Sequence, residues 1–165
     1  MRYISLLLLL ALSACDKDSD TPSIYTDNEV TYVLEPGSEF PIAGTAVFKE
    51  RTNGDLEVII QLTGTDGAIE HPTHLHYGDI STPDAEMALA LNPVKGETGQ
   101  SITIFNQLID ETSFGYEELQ AFDGHIKVHQ DGGPNKQVIL AYGNVGSSAK
   151  SQNNGRVEIA VCKSE

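Results

Sequence analysis

The chain has 165 residues, of which 39% are hydrophobic and 21% are charged, and this composition suits one compact globular domain. Its 24 acidic and 10 basic residues give a formal charge of −14, which argues against a nucleic-acid binder held by phosphate contacts. The only cysteines are Cys15 and Cys162, so if processing consumes Cys15 no intramolecular disulfide remains, and a disulfide-stabilised scaffold is excluded as well.

Residues 1–14 have the features of an export signal peptide. Arg2 supplies a positive charge, an apolar run follows, and Leu12-Ser13-Ala14-Cys15 places small residues directly before a cysteine. This pattern resembles a bacterial lipobox, which implies cleavage before Cys15 and lipidation of that cysteine. The apolar run is too short to span a bilayer. We therefore expect the protein to meet the membrane through a lipid anchor at Cys15.

The residues that follow the cysteine are charged and small, without an apolar face, and they predict a flexible acidic tether over residues 15–27. Acidic residues behind a lipidated cysteine resemble the surface-export signals of some Gram-negative groups. An Asp in the second position, here Asp16, resembles an inner-membrane retention signal elsewhere. We expect a place in the bacterial cell envelope and favour the outer membrane, including its surface, over the inner membrane.

Residues 28–165 are predicted to form one all-β domain. Leu56, Val58, Ile60 and Leu62 alternate with polar residues, and Asn53-Gly54 before them predicts a hairpin with the run Thr45–Arg51. Further predicted strands are Val30–Leu34, Ser101–Phe105, His125–His129, Gln137–Tyr142 and Arg156–Val161. Seven or eight short strands favour a β-sandwich.

Two segments interrupt this strand pattern. Ser113–Ala121 predicts one brief helix with Ser113 as its cap. Residues Gly146–Gly155 are rich in Gly, Ser and Asn and are interpreted as a loop.

All five histidines fall in two clusters. If residues 73–77 are extended, His74 and His76 point to the same face with Cα atoms roughly 6.6 Å apart, so their imidazoles can converge on one ion. His71, three residues before His74, is a candidate fourth ligand, proposed from proximity. A polar strand face without any metal role can also contain such a pair.

The second cluster is predicted to contribute one ligand at most. On a strand, His125 and His129 lie roughly 13 Å apart and cannot both bind an ion whose bond to nitrogen is about 2 Å. Ile126 and Val128 are expected to face the core, and Lys127 lies between the two histidines. The histidine that does not join the first cluster is expected to be solvated.

The order of these motifs resembles the copper/zinc superoxide dismutases over roughly residues 43–162. The stretches that carry the resemblance are Ala46–Glu50, Asn53-Gly54, Leu56–Leu62, His74–Asp79, Leu91-Asn92-Pro93, Ile126–Gln130 and Gly143–Gly146. The chain also resembles bacterial chordin-type (CHRD) domains, which carry a similar His-x-His strand and a later strand ending in Val-x-His. Both resemblances imply a dismutase-like, Greek-key β-sandwich.

The dismutase resemblance implies copper ligands at His74, His76 and His129, and His125 should not join them. The family's bridging histidine would fall on Ala90, and its zinc loop has no histidine counterparts between Asp79 and Leu108. Three neutral imidazoles suit copper and also suit zinc, so copper is favoured by resemblance alone.

Three functions compete on this basis. The first is a non-catalytic, lipid-anchored copper protein that captures or hands over metal at the cell envelope. The second is a CHRD-like adhesion or interaction module without a metal role. The third, and the only enzymatic one, is a copper-only superoxide dismutase, which the acidic surface disfavours because superoxide is an anion.

Overall fold

A computed structural model describes residues 22–151 of the chain. The predicted signal peptide, Cys15, most of the tether, the predicted strand Arg156–Val161 and Cys162 lie outside the described residues. Among residues 22–151, no helix is long and apolar enough to cross a membrane.

The described chain folds into eight β-strands and two short helices. Their bounds are β1 Tyr25–Pro36, β2 Ala43–Arg51, β3 Leu56–Thr63, β4 Glu70–Tyr77, β5 Met87–Lys95, β6 Gln100–Phe105, α1 Tyr116–Ala121, β7 Asp123–His129, β8 Ile139–Val145 and α2 Gly146–Ser151. The all-β prediction is confirmed.

The eight strands are antiparallel and close into one barrel in the order β1-β2-β3-β6-β5-β4-β7-β8. Two of its seams are short. β5 and β6 share the single registered pair Lys95 and Gln100, and β1 and β8 share two pairs, at Glu35 and Pro36. The remaining neighbours pair over at least five residues. The barrel therefore consists of two well-paired halves, β1-β2-β3-β6 and β5-β4-β7-β8.

The buried core follows the predicted alternation of side chains along the strands. Strand β3 pairs with β2 along the whole length of β3. Gly54 makes the turn before β3 with a φ of 88°, a left-handed conformation that glycine adopts without strain. The four alternating apolar residues of β3, Leu56, Val58, Ile60 and Leu62, are all buried, as are Ile126 and Val128 of β7. The hairpin and the core faces of β3 and β7 are thus as predicted.

The first strand begins at Tyr25, three residues before the expected start of the domain. The Tyr25 hydroxyl donates a 2.7 Å hydrogen bond to Glu57, whose second carboxylate oxygen lies 2.5 Å from Arg51. These contacts hold residues 25–27, which the sequence assigns to the tether, against β2 and β3.

Strand β5 was not among the predicted strands. Asn92 and Pro93 interrupt its apolar pattern, and both fall at an irregularity in the pairing with β4, between the partners of His71 and Thr73. A β-bulge tolerates proline because the missing N–H is not needed in the ladder there.

Both non-strand predictions need correction. The helix α1 is capped by Gly115 instead of Ser113, and the Gly115 N–H donates to the Glu118 carboxylate at 2.9 Å. Ser113 instead forms an isolated bridge with Gln107. The predicted loop from residue 146 begins as helix α2, where the Ser148 hydroxyl donates to Asp123 on β7.

Candidate metal site

The candidate site lies on the outward face of β4 and β7. In the register of this pair, His76 lies opposite His125, and His74 lies opposite Lys127. Directly opposed residues of antiparallel strands share a face, so all four side chains share one face of the sheet. Leu75, between the two β4 histidines, is fully buried in the core, as the alternation of side chains requires.

The structure brings His74, His76 and His129 together. One potential ligand atom from each of them lies within 4.8 Å of those of the other two. The ring centroid of His74 is 5.8 Å from that of His76 and 5.0 Å from that of His129. His129 occupies an irregularity in the pairing of β7 with β8, and such bulges re-aim side chains. Donor atoms bonded to one ion at about 2 Å lie at most about 4 Å apart, so a shift of less than about 1 Å completes the site.

Backbone carbonyl groups fix the orientation of two of these rings. Nδ1 of His76 lies 3.0 Å from the carbonyl oxygen of Ala85, and Nδ1 of His129 lies 2.7 Å from that of Lys136. A carbonyl oxygen can only accept, so Nδ1 carries the proton and Nε2 keeps its lone pair in the neutral ring. This carbonyl–imidazole arrangement is the usual support of metal-binding histidines.

The Nε2 atoms of His76 and His129 are both buried and have no hydrogen-bond partner. The two side chains are only 4% and 5% exposed. A buried acceptor without a partner costs about 1–3 kcal/mol, and native proteins contain few of them. A metal ion between these lone pairs would satisfy both.

Burial keeps the cluster neutral. Desolvation lowers the pKa of His74 to about 4 and that of His76 to about 3, and it also lowers the pKa of His129. The positive charge of Lys127 further lowers the pKa of His76 and His129, while the carbonyl bonds to Ala85 and Lys136 oppose the shift. Because metal ligands must be unprotonated, these imidazoles are ready to bind at neutral pH.

The metal-free protein is expected to lose stability as the pH falls from 7 to 5. Unfolded histidines take up a proton near pH 6.5, whereas His76 and His125 do so in the folded state only at about 3 and about 4. The unfolded state therefore binds more protons in this window, and each of these two histidines lowers the free energy of unfolding by up to about 1.4 kcal/mol per pH unit. Urea unfolding at pH 7, 6 and 5 measures this slope, and a flat profile would contradict the burial of the neutral rings.

His125 is not solvated, which corrects the sequence expectation. Its side chain is fully buried, and its ring stacks on that of His76 with centroids 5.1 Å apart and planes 7° apart. Its Nδ1 lies 2.7 Å from the carbonyl oxygen of Gly78. The segment after β4, which includes Gly78, is also tied to β8, because the Ile80 N–H donates a 2.8 Å hydrogen bond to the Asn144 side chain. His125 does not belong to the group of three.

His71, the fourth expected ligand, is also outside the group of three. In the alternation of side chains along β4, His71 falls on the same side as Leu75 and on the opposite side from His74 and His76. The side chain is 5% exposed, its Nδ1 lies 2.8 Å from the carbonyl oxygen of Gln130, and its Nε2 is buried without a partner, like that of His125. His71 therefore braces the start of the segment that follows β7.

A cavity of about 450 Å³ opens in front of the three histidines. Its walls include residues that sequence reasoning did not single out: Ala85, Met87, Asp131, Gly132, Lys136 and Gln137, together with Pro72. The only sequence signal for this wall is the turn chemistry of Gly132-Gly133-Pro134, which predicts a loop without saying what it covers.

Asp131 holds together the loop that forms one wall of the cavity. Its carboxylate accepts hydrogen bonds from the Gly133 N–H at 2.7 Å and from both the backbone and the side chain of Asn135, at 3.1 and 2.9 Å. The bond from Gly133 is the main reason why the pKa of Asp131 lies below its usual value. The closed loop delivers the Lys136 carbonyl to His129. The loop is thereby tied to His129, one of the three candidate ligands.

No protein-family model matches the chain, and no curated protein matches its sequence.

Proposed function

We propose that this protein is a lipid-anchored cell-envelope protein that binds one copper ion through His74, His76 and His129 and serves in metal capture or handover without catalysis. The observation that carries the proposal is the pair of buried, unpartnered Nε2 atoms on His76 and His129, oriented by carbonyl groups beside His74. His71 and His125 also bury an unpartnered Nε2 atom, but among the described residues only His74, His76 and His129 converge closely enough to share one ion.

The strand order supports the finer description of the fold as a dismutase-like, Greek-key sandwich. β4, β5 and β6 follow one another in the sheet, and β7 returns to lie beside β4, which is the Greek-key order. The short β5–β6 and β1–β8 seams leave two four-stranded halves that can be treated as packed sheets. The resemblance to dismutases and CHRD domains implied this arrangement.

Copper is proposed over zinc because the resemblance to the dismutases implies copper at these three positions, while the imidazoles accept either ion. Ala90, at the position of the family's bridging histidine, lies directly opposite His74 on β5. Its methyl group offers no ligand to connect a second metal. The alanine therefore supports a site for a single metal ion. In the dismutase family the bridging histidine also takes part in proton delivery, which Ala90 cannot provide.

The anchoring part of the proposal rests on the lipobox at Leu12–Cys15 and on the acidic residues behind it. We propose lipidation at Cys15 and a place at the bacterial outer membrane, including its surface. An acidic domain held at such a surface attracts cations.

A Cu(II) titration read by ligand-field absorption, followed by a superoxide-decay assay on the loaded protein, tests the proposal. We expect one equivalent of Cu(II) to bind with imidazole ligation and superoxide to decay no faster than with the same amount of free copper. Decay near the diffusion limit would return the copper-only dismutase to first place. Absence of a stoichiometric end point would favour the CHRD-like interaction module.

A further inference from the structure

Met87 lines the same cavity as the three histidines. It is the first residue of β5 and the Cα partner of His76 in the β4–β5 ladder. It is one of the residues that line the cavity in front of His74, His76 and His129. Although methionine is apolar, this side chain is 38% exposed and does not belong to the core. Met87 therefore contributes to the surface of the site and little to the packing of the barrel.

The segment before Met87 is already tied to the site. Ala85, two residues earlier, supplies the carbonyl group that orients His76. The N–H of Tyr77, next to His76, donates a 3.0 Å hydrogen bond to the Glu86 carbonyl. The backbone directly before Met87 is thus held against the strand that carries two of the three histidines.

We propose that the Met87 thioether is a fourth, soft ligand of the three-histidine site and makes it a site for Cu(I) as well as Cu(II). This proposal rests on the proposed copper binding. Three neutral imidazoles do not discriminate between copper and zinc, but thioether sulfur favours Cu(I) and adds little to a Zn(II) site. The thioether carries no charge and needs no deprotonation, so it ligates without adding charge to the desolvated cluster.

A mixed histidine and methionine set has a functional consequence. It holds the ion in either oxidation state, because imidazole suits Cu(II) and the thioether adds affinity for Cu(I). Such a site suits the capture and transfer of copper in its reduced form, with the open cavity as the route for a partner's ligand. Zinc would be the weaker competitor whenever copper is reduced.

The test compares the full chain with its Met87→Leu variant, both carrying Cys15→Ser and Cys162→Ser because free thiols bind Cu(I) themselves. Leucine keeps the size and apolarity of methionine and removes only the sulfur. Competition with a chromophoric Cu(I) chelator should show at least about tenfold weaker Cu(I) binding in Met87→Leu, while Cu(II) and Zn(II) affinities change less than about threefold.

X-ray absorption of the Cu(I) form supplies an independent readout. A sulfur neighbour should be present in the protein with Met87, absent in Met87→Leu, and replaced by selenium after growth on selenomethionine. The sequence contains only one other methionine, Met1, so this signal identifies its source.

Two outcomes would overturn the proposal, and they are distinguishable. The first outcome is equal Cu(I) affinity in both chains and no sulfur neighbour of Cu(I), while His76→Ala still loses Cu(II) binding. This outcome would eliminate Met87 as a ligand and leave the three-histidine copper site intact. Failure of the chain with Met87 to bind either Cu(I) or Cu(II) stoichiometrically would remove the proposed copper function together with the role of Met87.

Discussion

The variant His129→Ala is expected to bind Cu(II) at least about 100-fold more weakly than the unchanged protein. His129 is the only member of the group of three that comes from β7, and its removal leaves the two β4 histidines as an isolated His-x-His pair. Loss of groups that merely orient a ligand costs about 10–100-fold in metal affinity, and loss of the ligand itself removes a bond to the ion. Competition titration with a Cu(II) chelator measures the change.

His71→Ala is the matched control for this experiment. His71 and His129 are both 5% exposed, and each places Nδ1 within 2.8 Å of a backbone carbonyl oxygen in the segment after β7. Both substitutions therefore remove a similar buried hydrogen bond, but only His129 belongs to the converging group. We expect His71→Ala to keep Cu(II) affinity within about threefold, well below the loss of a metal ligand. Equal losses, with both variants folded by circular dichroism, would contradict the three-histidine site.

The second substitution with a large expected effect is Cys15→Ser, at a position outside the described residues. Cys15→Ser should abolish incorporation of labelled fatty acid and shift the protein from the membrane fraction to soluble or unprocessed material, because the lipobox reaction requires that thiol. Stable anchoring needs more than one acyl chain, and lipobox cysteines carry several. The control is Cys162→Ser, which should leave acylation unchanged. Continued acylation of Cys15→Ser would disprove the lipoprotein assignment.

The alternation of side chains along single strands was sufficient to predict much of the candidate metal site. The two-residue repeat of a strand predicts that His74 and His76 share a face and that His125 and His129 cannot both reach one ion. Ile126 and Val128 likewise identify the core side of β7. These inferences succeed because they depend only on the alternation of side chains within one strand.

The environment of the histidines was not predictable in this way. The ring of buried His125 is hydrogen-bonded to the Gly78 carbonyl group, and the segment after β4 is held by Asn144, which is distant in sequence. His129 is oriented by a loop that Asp131 closes. These contacts arise from tertiary packing, and no local pattern encodes them. Met87 was overlooked because it begins a strand whose pattern Asn92 and Pro93 interrupt.

The most direct test of copper binding by the three histidines is elemental analysis of the protein purified from cells supplied with both copper and zinc. One preparation should carry the unchanged residues and the other His74→Ala, His76→Ala and His129→Ala together. We expect close to one copper ion per unchanged chain, little zinc, and almost no metal in the triple variant, because the remaining histidines lie outside the converging group. Stoichiometric zinc in place of copper, or equal metal content in both proteins, would contradict the account.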